Sequence, residues 1–94
     1  MPDRRAFYFI DERGRPWGIR VSKLLGIEAS VDGKPAGTIS GEAVRQILEA
    51  KGSPADKANE LIDALAEVLE PGALAQGEDA LLDGLMAWVR VVAT

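Results

Sequence analysis

Five carboxylates in one stretch of this 94-residue chain, Asp56, Glu60, Asp63, Glu67 and Glu70, are spaced four, three, four and three residues apart. At ~100° per helical residue this spacing confines them to an arc of roughly 80°, with Ala58, Leu61, Ile62, Leu65, Val68 and Leu69 on the opposite side. The row extends ~21 Å at 1.5 Å per residue, and Lys57 is its nearest cation. Each successive pair of like charges destabilises a helix by roughly 0.2–0.5 kcal/mol, so the row opposes folding and one lysine within it would relieve that. A solubilising face is the plainer reading of such a row, and a surface complementary to a basic partner is the functional one.

The chain contains neither histidine nor cysteine. The commonest general base, the thiol nucleophile and the usual transition-metal ligands are therefore missing, and a serine–histidine arrangement cannot be built. The acids of the row face away from the expected core, where nothing would shift their pKa values toward general acid or base work. Their spacing lacks the short alternation and central glycine of a calcium loop. Gly33-Lys34 is followed by Pro35 where a phosphate loop needs Ser or Thr. No enzyme activity, no cofactor and no metal is expected.

Composition sets the frame for these residues: 47% hydrophobic and 28% charged side chains in a chain this short support a single domain over 1–94 with one core. Without cysteine no disulfide framework exists, which suits a reducing compartment. The start of the chain shows no signal-like hydrophobic segment, and no apolar run approaches the ~20 residues that a bilayer requires, so the cytoplasm is the expected location with no membrane partner. The net charge of −4 hides an asymmetry. Residues 1–51 carry nine basic and seven acidic side chains, whereas residues 52–94 carry two and eight.

The first half reads as strands and turns. Arg5 to Ile10 is an aromatic-rich strand, and Asp11-Glu12-Arg13-Gly14-Arg15-Pro16 supplies a turn. Trp17, Ile19 and Val21 then alternate with Gly18, Arg20 and Ser22, as in a half-buried strand. Ile27, Ala29 and Val31 repeat that alternation before Asp32-Gly33, a dipeptide that accepts positive φ in a two-residue hairpin turn. Pro35 confines a return strand over Lys34–Ile39 to an edge.

The second half reads as three helices. Ser40 caps a short one that ends at Gly52. Ser53-Pro54-Ala55-Asp56 opens another, with serine at the cap, proline at the first position and an acid three residues on, and it is expected to reach Glu70 before Pro71-Gly72. Glu78-Asp79 starts a third that runs to Val92. The expected fold is α+β: a small antiparallel sheet from residues 1–39 packed against three helices from residues 40–94. In the third helix Leu81, Leu82, Leu85, Met86, Trp88, Val89 and Val92 leave only Asp83, Ala87 and Arg90 as a polar seam. This is more apolar surface than a small shell is expected to cover, and a homodimer interface at Leu81, Leu85, Trp88 and Val92 follows.

Two further constellations offer nucleic-acid readings. Arg5, Arg13, Arg15, Arg20 and Lys23 are interleaved with Phe7, Tyr8, Phe9 and Trp17 in the first hairpin, the composition of a nucleic-acid-binding ribbon. Asp3, Asp11, Glu12 and the overall negative charge oppose it. Val21-Ser22-Lys23-Leu24-Leu25-Gly26-Ile27 resembles the first helix and turn of helix-turn-helix proteins, with Ser40 to Gly52, including Ala43, Val44 and Arg45, in the place of the recognition helix. Asp32-Gly33-Lys34-Pro35 would have to be inserted between the two.

The sequence thus points to a small acidic protein-binding module, a regulator or inhibitor whose helical acidic face engages a basic surface such as that of a nucleic-acid-binding protein. In size and charge it is similar to small phage-encoded inhibitors, anti-CRISPR proteins among them, though no motif carries that likeness. A self-associating assembly subunit is the alternative, and a DNA-binding regulator that uses the basic hairpin is the second.

Overall fold

The computed structural model describes residues 4–93. Four strands, β1 (Arg5–Ile10), β2 (Pro16–Ser22), β3 (Gly26–Val31) and β4 (Lys34–Ile39), precede three helices, α1 (Gly41–Glu49), α2 (Pro54–Val68) and α3 (Glu78–Val92). The strands form one antiparallel sheet in the order β1-β2-β3-β4. This is the α+β architecture expected from the sequence. Asp32 (φ 52°) and Gly33 (φ 77°) turn the chain between β3 and β4 as their dipeptide signals. The segment likened to the start of a helix-turn-helix is the end of β2, a turn and the start of β3.

All three helices cover one face of the sheet. Trp17, Ile19 and Val21 of β2 and Ile27 and Ala29 of β3 point into that layer, where they meet Val44 and Leu48 of α1, Leu61 and Leu65 of α2, and Leu81, Leu85 and Trp88 of α3. The packing is staggered: α1 lies against β3, α2 against β4 and α3 against β1. Both serine caps read from sequence are formed. The Ser40 hydroxyl accepts from the Ala43 N–H, and Ser53 and Asp56 form a reciprocal capping box.

The supposed surplus of apolar surface on α3 is consumed inside the one chain. Leu81, Leu85 and Trp88 are no more than 2% exposed and Val92 is 9% exposed. A dimer interface through these four residues is therefore corrected to a core position. A four-stranded sheet offers a broader cover than periodicity alone reveals, and two glycines let it approach. A Cβ at Gly84 would sit 2.4 Å from the Phe7 ring and one at Gly77 2.5 Å from the Phe9 ring, so β1 lies directly on α3.

The turn between β2 and β3 is clamped to the start of α1. One Arg45 guanidinium nitrogen donates to the carbonyls of Lys23 and Leu24, each at 3.0 Å, and the Leu25 N–H donates to the Ser22 hydroxyl. Gly26 makes this closeness possible, with φ at 93° and a hypothetical Cβ only 2.0 Å from the Ile39 carbonyl oxygen. Gly26→Ala combines a strained φ with a backbone collision, and is expected to destabilise the fold by about 3 kcal/mol or more in chemical denaturation. A change within ±0.5 kcal/mol would show that the turn yields freely.

Candidate functional site

α2 runs from Pro54 to Val68, two residues short of the expected end. Leu69 leaves the helix with an extended backbone and turns its side chain into the core, and Glu70, preceding Pro71, is disfavoured from continuing it. The acidic row is thereby divided. Asp56, Glu60, Asp63 and Glu67 stay in line on the exposed face of α2, while Glu70 lies beyond the helix.

Glu70 has its own partner. Arg15 Nη1 and Nη2 donate to Glu70 Oε1 and Oε2 at 3.1 and 2.9 Å, a bidentate pair, and Arg15 Nε donates to Asp11 Oδ2 at 2.8 Å. The same guanidinium lies 5.7 Å from the Trp17 ring centroid, and Trp17 stacks on Phe9 with centroids 6.0 Å apart. The hydrogen bond from Arg15 comes first in holding the Glu70 carboxyl below its ordinary value. In turn the hydrogen bond to Glu70 leads the influences that raise Arg15. Two residues assigned from sequence to different sites thus pair with each other, stapling the β1–β2 turn to the segment that follows α2.

Asp11 is the hub of this turn. It accepts from the Arg13 and Arg15 amides, from Arg15 Nε and from the Trp17 indole Nε1, all within 2.9 Å. Partial burial, the largest single influence, pushes its pKa up, but the Trp17, Arg15 and Arg13 hydrogen bonds together outweigh it and hold the carboxyl down at about 2. Because the folded value is depressed, the stabilisation from Asp11 is complete above the ordinary 3.8 and is lost as pH falls toward 2. Glu70 acts in the same sense. Denaturation midpoints of Asp11→Asn are expected to fall less between pH 5 and pH 2 than those of the native chain. Parallel losses in the two proteins would remove Asp11 from the acid response.

The remaining acids are different in kind. Both ion pairs among the described residues are made by Arg15, so Asp56, Glu60, Asp63 and Glu67 face solvent without a salt bridge. Asp56 is engaged with the Ser53 N–H in the capping box. Glu60, Asp63 and Glu67 border a shallow groove between α1 and α2 whose apolar lining comes from Ala43, Ile47, Ala50 and Ala64. Ile47 is only half-buried, although its spacing with Val44 and Leu48 assigns it to the core. The small residues at 43, 50 and 64 line this groove, and nothing in their sequence spacing marks it.

The basic residues of the hairpin split into two groups, and only Arg5 and Arg20 come together, lining one cavity with Arg4 and Glu28. Arg13 and Arg15 belong to the turn between β1 and β2, whereas Arg5, Arg20 and Lys23 lie at the other end of those strands, roughly 20 Å away at ~3.3 Å per residue. Arg15 is neutralised, the Lys23 ammonium reaches the Val92 carbonyl at 3.4 Å, and the register sets Arg20 opposite Glu28. No described group of three or more carboxylates is placed to hold a metal ion. Among the described residues no helix is long and apolar enough to cross a membrane.

No protein-family model, curated protein or solved structure matches this chain. Its chemistry is read from its own geometry. An exposed row of carboxylates beside an apolar groove can attract a cationic surface and give that surface's aliphatic stems a place to pack.

Proposed function

We propose that this protein is a non-enzymatic binding module, a regulator or inhibitor, that seats a basic surface of a protein partner on the α1–α2 groove. The observation that supports it is the coincidence of three features on one face: carboxylates in line at Glu60, Asp63 and Glu67, no cation paired with them among the described residues, and an apolar lining beside them. A merely solubilising face is served as well by mixed charges, whereas an all-acidic row adjoining Ile47 has the composition of a polar rim around a small apolar contact.

The partner's matching surface carries lysines or arginines whose methylene stems lie on Ala43, Ile47 and Ala64 while their heads meet the row. Nucleic-acid-binding proteins present such surfaces, and occupancy by this module would exclude the phosphate backbone. Capture from lysate at low and high salt tests the reading. The retained partner is expected to bind faster at low salt and to be released as ionic strength rises, because exposed charges are screened beyond about 8–10 Å. Retention that ignores salt would overturn the electrostatic part of the proposal.

A further inference from the structure

The two edges of the sheet are built differently. At β4 the edge is interrupted: Pro35 has no N–H to offer, the register shifts opposite Ala29 and Ser30, and Lys34 and Gly37 flank the irregularity. These are the devices by which sheet edges avoid pairing. β1 has none of them. Its residues 6–10, Ala-Phe-Tyr-Phe-Ile, contain no proline, glycine or charge, they pair with β2 without a bulge, and Tyr8 and Ile10 are 75% and 59% exposed.

The hydrogen-bond phase of the ladder fixes what this edge presents. The Asp11 N–H donates to the Arg15 carbonyl and the Asp32 N–H to the Pro16 carbonyl, each at 3.0 Å. Antiparallel ladders alternate, so Arg5, Phe7 and Phe9 direct their backbone groups to β2, and Ala6, Tyr8 and Ile10 direct theirs outward. None of these outward groups has a hydrogen-bond partner among the described residues. The side chains of the same three residues lie on the sheet face that the helices leave open, where Tyr8 covers Gly18.

We infer that β1 is a homodimer interface, in which the β1 strands of two copies pair antiparallel across a two-fold axis at Tyr8 and join the two sheets into one. A second copy fits because the strand is self-complementary in this register. Tyr8 meets Tyr8 and Ala6 meets Ile10, so every outward N–H and C=O of the three residues is satisfied. Two-fold pairing also keeps the helix-covered faces on one side. The ends match in charge, since Arg4 and Arg5 of one copy approach the Asp11-Glu12 end of the other. A register centred on Phe7 would set Ile10 opposite Arg4 and Arg5 opposite Phe9, and so lose the charge match at the ends. The interface is separate from the α1–α2 groove, because α3 is the helix beneath β1 while α1 and α2 lie against β3 and β4.

Light scattering and backbone hydrogen exchange test this on the native chain. A species of about 20 kDa, twice the 10.0 kDa chain, is expected at tens of micromolar, with the amides of Ala6, Tyr8 and Ile10 protected as well as those of Phe7 and Phe9. Tyr8→Pro removes an outward donor that the monomer ladder does not use, so it is expected to give a folded monomer and a dissociation constant raised more than tenfold. Ile10→Lys, an exposed position, is expected to do the same. A 10.0 kDa species alone, or fast exchange at residues 6, 8 and 10 beside slow exchange at 7 and 9, would overturn the inference. So would a dimer that survives both substitutions.

Discussion

Trp88→Ala is expected to lower the free energy of unfolding by about 3–5 kcal/mol, the usual range for deleting a fully enclosed tryptophan. Trp88 is 1% exposed and shares the core with Leu81, Leu85 and Val89 of its own helix. A domain of this size has a total stability toward the lower end of about 5–15 kcal/mol, so this single truncation removes most of it. Its melting temperature would fall by roughly 15 °C or more. The consequence separates the two placements of this residue. At a subunit interface the substitution would give a stable monomer; in the core it gives a chain that unfolds near ambient temperature. Circular dichroism on heating distinguishes them. A variant that keeps its melting temperature would return Trp88 to the surface.

Much of the architecture is legible because its local signals agree with its packing. Ser40 and Ser53 cap helices where their spacing places them, Asp32-Gly33 turns, and Pro35 stands on an edge strand. What periodicity cannot report is how much cover a partner layer provides. The apolar circumference of α3 looks excessive until a sheet that can approach at Gly77 and Gly84 is laid on it. Nor can an uninterrupted apolar strand reveal its faces. Phe7-Tyr8-Phe9-Ile10 shows no alternation, and only its register with Gly18 and Ile19 separates the helix-covered Phe7 and Phe9 from the open-faced Tyr8 and Ile10.

The candidate site was legible in part for a similar reason. Helical spacing correctly puts Asp56, Glu60, Asp63 and Glu67 on one exposed face. Glu70 satisfies the same spacing but falls beyond the point where Leu69 turns inward, and it is claimed by a residue 55 positions earlier in the chain. Such a long-range pair leaves no trace in local pattern. The apolar lining of the groove, contributed by two helices, is likewise visible only once α1 and α2 lie side by side.

The strip on α2 therefore rests on Glu60, Asp63 and Glu67, with Asp56 committed to the helix cap. Replacing those three with lysine leaves Leu61, Ile62 and Leu65 untouched on the buried side, makes the contact with Asp56 attractive and exchanges the remaining acid–acid repulsions for lysine–lysine ones of similar size, so thermal stability is expected to stay close to that of the native chain. Binding is expected to fail. Each lysine exchanges attraction for repulsion against a basic surface, and like charges placed together at an interface cost several kcal/mol. Ile47, Ala43 and Ala64 remain in place, so the apolar contact is still offered and only the charge is inverted. The decisive measurement is a side-by-side capture with the native chain and the Glu60→Lys, Asp63→Lys, Glu67→Lys variant, each first shown to be folded. Loss of the salt-sensitive partner from the variant alone is the predicted result, and retention of the same partner by both proteins would contradict the account.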